Sequence, residues 1–74
     1  MNIKLRVIEN AEAARNAGWT KNHRLVEMFV VGKWRAVGFF TEKQIDSGKA
    51  ETEARKRIGI NAPNYPKDLT FTLA

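Results

Sequence analysis

Residues 29–40 read FVVGKWRAVGFF: eight apolar side chains, two cationic ones and two glycines. Residues that favour strands flank a Gly-Lys pair, which predicts a tight hairpin. Glycine in the first position favours a type II′ turn at Gly32-Lys33. That register pairs Val31 with Trp34, Phe29 with Ala36, Glu27 with Gly38 and Leu25 with Phe40. On the alternate face Val30 meets Arg35, Met28 meets Val37 and Val26 meets Phe39. The second face is the more uniformly apolar, so Val26, Met28, Val30, Val37 and Phe39 are the expected core set. Phe29, Val31, Trp34 and Phe40 are left as a set that needs a cover. A slip of one residue would exchange these roles, so the assignment hinges on the turn.

On the N-terminal side, Ile3, Leu5 and Val7 alternate with Lys4 and Arg6, the period of a half-buried strand over Asn2 to Glu9. The segment NAEAARNAGW then predicts a short helix. Asn10 is its expected N-cap, several alanines form its body, and Gly18 stands at the C′ position. Trp19 follows the glycine, and TKNHR forms a polar, basic loop before the hairpin.

On the C-terminal side, Thr41 and Gln44 have the spacing of a capping box, and Asp46-Ser47-Gly48 reads as a break. Lys49 to Ile58 is the clearest helix, with Ala50, Ala54 and Ile58 on one stripe. Glu51–Arg55 and Glu53–Arg57 are i,i+4 pairs in the favourable order, and Gly59 suits the helix end. Two prolines then exclude regular structure from NAPNYPKD. Leu69, Phe71 and Leu73 alternate with threonines as a last strand. The expected fold is a small single-domain α+β protein over residues 1–74. It has an antiparallel sheet with two short helices on one face, in the order βαββαβ, either ferredoxin-like or a ββαβ variant.

Seventy-four residues leave a thin stability margin, and there is no cysteine to staple the fold. The cysteine count fits a reducing cytoplasm. No apolar run is long enough for a membrane span, and the alternating N-terminus is not that of a signal peptide. The expectation is therefore a cytoplasmic protein with no membrane partner. The net charge of +5 favours a polyanionic partner.

Motifs for chemistry are sparse. His23 is the single histidine. Glu27 or Glu42 could approach it across the hairpin, with Glu42 opposite in the expected register, an arrangement that a surface cross-strand ion pair explains equally well. No metal-ligand spacing, phosphate loop or Ser/His/Asp set is present, so neither enzymatic activity nor a cofactor is expected. RAVGFFT, residues 35–41, is similar in part to the third strand of RNA-recognition-motif domains. Arg35, Gly38 and Phe39 match that strand in type, while Val37 and Glu42 stand where aromatics are wanted. The run from Phe39 to Arg57 resembles in part the second half of a double-stranded-RNA-binding domain, with Lys49 in place of a lysine pair. Neither likeness assigns a site.

The broader signal is cations beside aromatics. Lys21, His23, Arg24, Phe29, Lys33, Trp34 and Arg35 are the expected contact residues. Lys49, Arg55, Lys56 and Arg57 form a second basic patch on the helix, partly neutralised by Glu51 and Glu53, with Lys49 and Lys56 as its expected contacts. The expected function is non-enzymatic binding of nucleic acid, mostly through phosphates. The alternative is a phage- or plasmid-type inhibitor or adaptor, of the anti-CRISPR or host-takeover class. Such a protein would bind a nucleic-acid-handling protein complex through the hairpin's aromatic face. The same face could also be covered in a homodimer.

Overall fold

The computed structural model describes residues 1–9, 11–20, 22–66 and 68–73, leaving out the side chains at 11, 13 and 61. The N-cap expected at Asn10 and the candidate contact Lys21 therefore lie outside the described residues. The elements are β1 (Asn2–Ile8), α1 (Ala11–Asn16), β2 (His23–Val30), β3 (Lys33–Thr41), α2 (Glu42–Asp46), α3 (Lys49–Asn61) and β4 (Thr70–Leu73). The α+β class and the βαββαβ order hold, with the second helical segment divided in two.

The sheet is mixed rather than antiparallel. Its strand order is β3-β2-β1-β4: β1, β2 and β3 form an antiparallel meander, and β4 runs parallel to β1. The reason lies in the connection. α2 and α3 carry the chain from one edge of the sheet to the other, and a helical crossover of that kind delivers a strand parallel to the one it left. This pairing does not give the ferredoxin-like order, because the helix-linked β1 and β2 are direct neighbours. It corresponds to a first strand followed by a ββαβ unit.

The hairpin departs from the expected register in two ways. The turn residues are Val31 and Gly32, at φ 52° and 74°, and Val30 pairs with Lys33. Positive φ at both central positions makes this a type I′ turn, whose twist matches that of the strands. Further along, Glu27 faces Ala36 but Val26 faces Gly38, which leaves Val37 as the extra residue of a β-bulge. The bulge flips the alternation beyond it. Val26, Met28, Val30 and Val37 are buried as expected, but Phe40 enters the core in place of Phe39. Gly38 permits this: its φ is 155°, a conformation that residues with a side chain rarely adopt.

One core lies between the sheet and the α2–α3 layer. Ile3 and Leu5 from β1 pack with the buried hairpin residues, with Ala50, Ala54 and Ile58 from α3, and with Leu69. Thr41 and Gln44 do form the capping box, with reciprocal bonds of 2.9 and 3.3 Å. Gly48, at φ 85°, turns the chain into α3. That helix does not stop at Gly59 but runs to Asn61, where the Ala62 N–H donates to the Ile58 carbonyl. Of the two expected ion pairs only Glu53–Arg57 forms, at 3.8 Å. Arg55 instead donates to the Leu69 carbonyl at 2.9 Å and lies over the Phe71 ring. Of the two helices expected to cover one face, α3 does so, and α2 joins it there. α1 packs against β2, and its buried Ala14 is not part of this core.

Candidate nucleic-acid interface

The face of the sheet away from α3 is set by alternation and register. β1 presents Lys4 and Arg6 there, β2 presents Leu25, Glu27 and Phe29, and β3 presents Trp34, Ala36 and Phe39. At the end where α1 connects β1 to β2, Ile8, Leu25 and Phe39 form a cross-strand row of half-buried side chains outside the core. At the other end Phe29 and Trp34 are directly paired. Their rings meet edge to face, 5.3 Å between centroids at 71°. This geometry suits the quadrupoles of the two rings.

Arg6 joins the two halves of this face. Its Nε donates to Glu27 Oε1 at 2.8 Å, and its Nη2 stands 2.7 Å from the same oxygen. The guanidinium carbon lies 4.1 Å from the centroid of the Trp34 ring. One cation is thus held by a carboxylate at its edge and by an aromatic face beneath it. Phe29 is 41% exposed, Trp34 is half-buried, and Lys4 is exposed one step along β1. At the far edge the Thr70 and Thr72 hydroxyls donate to Asn2 Oδ1, giving the face a neutral polar border.

The expected contact residues do not converge on this face as one group. Phe29 and Trp34 do. Arg24 points to the other side of β2, where Glu9 at 3.0 Å and Glu42 at 3.5 Å hold its guanidinium. It is a structural cation, and Glu42 is its partner rather than that of His23, which faces Thr41. The His23 ring packs on Trp19 at 4.9 Å, and its Nδ1 is 2.8 Å from Thr20 Oγ1. Lys33 is exposed beside the turn, and Arg35 is exposed on the helix side of β3. Lys49 and Lys56 are exposed on α3, in the opposite layer.

The strand cations Lys4 and Arg6 are the functional candidates that the hairpin-centred reading missed. Their outward direction was readable from the alternation in NIKLRVI; their place beside Phe29 and Trp34 depends on β1 pairing with β2. Among the described residues, no group of three or more His, Cys, Asp or Glu could hold a metal ion. No helix among them is long and apolar enough to cross a membrane. No protein-family model, no curated protein and no solved structure matches this chain.

Proposed function

We propose that this protein is a non-enzymatic nucleic-acid-binding module and that the open sheet face is its contact surface. The observation that carries this reading is the adjacency of Phe29 and Trp34 to Lys4 and Arg6 on one solvent-facing sheet. An exposed ring offers a stacking platform for a base, and neighbouring cations attract the phosphates. The net charge of +5 supplies the long-range attraction that brings a polyanion to that face. Anisotropy titration of a labelled oligonucleotide tests the reading. Binding should be clear at about 50 mM salt and fall steeply by about 200 mM, as counterion release requires. Absence of binding at the lower salt overturns it.

A second reading, the inhibitor or adaptor that docks on a host protein, is favoured by the neutralisation of Arg6 by Glu27 and by the exposure of Phe29 beside Trp34. Such a patch has the apolar centre and polar rim of a protein interface. A stoichiometric protein partner that survives nuclease treatment in a pull-down would favour this reading over the first.

A further inference from the structure

Between the hairpin end and the C-terminal half of α3 lies a cavity of about 220 Å³. Its floor is apolar: Met28, Val30, Ile58 and Ala62. Two guanidinium side chains, Arg35 from β3 and Arg57 from α3, line the same cavity, and among the described residues no carboxylate does. Arg35 makes no ion pair among the described residues, and Arg57 has only the long contact to Glu53 at 3.8 Å. Both side chains are exposed, so their guanidinium groups stand at the solvent side of the cleft, where an anionic head group can meet them.

A third feature marks the same place. Val31 forms part of the lining, and this β-branched residue is held at φ 52°, where such side chains are rarely found. The Tyr65 hydroxyl accepts its N–H at 3.0 Å and ties the turn to the loop after α3. Backbone strain retained at the rim of a cleft is characteristic of ligand sites.

We propose that this cleft binds a medium-chain aliphatic carboxylate, with the chain on the Met28–Ile58 floor and the carboxylate between Arg35 and Arg57. The size agrees. A cavity of about 150 Å³ holds the six carbons of benzene, so this one takes about nine heavy atoms. The chemistry agrees as well: guanidinium groups match a carboxylate in shape and charge. The site is independent of the sheet face, because its lining contains neither Phe29 nor Trp34.

The test is a titration of the ¹⁵N-labelled protein with octanoate, followed by amide shifts. Saturable shifts at Val31, Arg35, Ile58 and Ala62 are expected, and Arg35→Gln and Arg57→Gln should each weaken binding about tenfold. Both side chains are exposed, so both variants keep the fold, which the undisturbed spectrum of each will verify. Octanol should bind about tenfold or more weakly, for want of the charge. Acetate and inorganic phosphate should not saturate, for want of the chain. No saturable shift with octanoate overturns the proposal. So does octanol binding as tightly as octanoate, or unchanged octanoate affinity in both arginine variants. Phosphate binding as tightly as octanoate would also overturn it, by making the cleft a plain anion site.

Discussion

The guanidinium of Arg6 lies 4.1 Å from the centre of the Trp34 ring, two strands away across the sheet. Between them runs β2, whose Glu27 fixes the guanidinium from the side. This single cation therefore ties three strands together on the face that carries no α3. It fills the space an apolar side chain would take and still leaves charge at the surface.

Removing it should be felt in stability. Arg6→Ala loses the ion pair and the cation–π contact, and leaves Glu27, 16% exposed in its side chain, without its partner. The pair is partly solvated, so the expected loss is about 1 kcal/mol. Arg6→Lys keeps the charge but not the flat stacking group, and should recover only part of it. Urea denaturation of the three proteins gives the order. Equal midpoints would mean that the cluster is decorative.

Phe29 and Lys4 separate two contributions to nucleic-acid affinity. Phe29→Ala removes a stacking surface, and each stacked base contributes about 1–3 kcal/mol, so affinity should fall about tenfold with an unchanged salt slope. Lys4→Gln removes one phosphate contact, so the salt slope should drop by about one. Arg24→Gln should do neither, because Glu9 and Glu42 already occupy that guanidinium. Anisotropy titrations at several salt concentrations distinguish these outcomes. A loss with Arg24→Gln as large as with Lys4→Gln would place the contact on the wrong face.

The bulge makes a prediction about two adjacent phenylalanines. Phe40 is in the core at 6% exposure, whereas Phe39 is half-buried outside it. Phe40→Ala should cost about 3 kcal/mol or more, and Phe39→Ala about half as much. A chain of this length holds roughly 4–11 kcal/mol in total, so the first variant should be close to unfolding at room temperature. Thermal melts of both variants decide the matter. The reverse order would restore the unbulged hairpin.

These two residues also show what could be read in advance. Along β2 the more uniformly apolar set, Val26, Met28 and Val30, was assigned to the core from the sequence, and that assignment holds although the turn lies one residue earlier than expected. The stripe on α3, the Thr41–Gln44 capping box and the break at Gly48 rest on local chemistry and were equally legible. The bulge was not, because it depends on how Val37, Gly38 and Phe40 pack together against Val26. Nor was the strand order, since nothing local tells β4 to cross the sheet and lie beside β1. The candidate site inherits both limits. Phe29 and Trp34 could be named from the hairpin alone, while Arg6 reaches Trp34 only through the long-range pairing of β1 with β2. Arg24 carried the right charge for a contact, but its two acidic partners come from a connection and a helix start that register alone does not position.

The turn offers the last prediction. A type I′ turn needs positive φ at both central residues, and Asn-Gly satisfies this best. The protein has Val31-Gly32, and a non-glycine residue in the left-handed region bears a cost of about 1–2 kcal/mol. Val31→Asn should therefore stabilise the protein by about 1 kcal/mol and raise Tm by about 4–8 °C. The bond to the Tyr65 hydroxyl is donated by the backbone N–H of residue 31 and so survives the change. Tyr65→Phe removes it and should cost about 0.5–1 kcal/mol. Because residue 31 takes part in both effects, the two changes should not be additive. Val31 also contributes apolar surface to the cleft beside Arg35. Asparagine at that position should thus gain stability while weakening octanoate binding, the exchange expected where strain is kept for a ligand. Calorimetric melts with and without octanoate measure both halves. A lower Tm for Val31→Asn would contradict the type I′ assignment, whereas a higher Tm with undiminished octanoate stabilisation would detach the strain from the cleft.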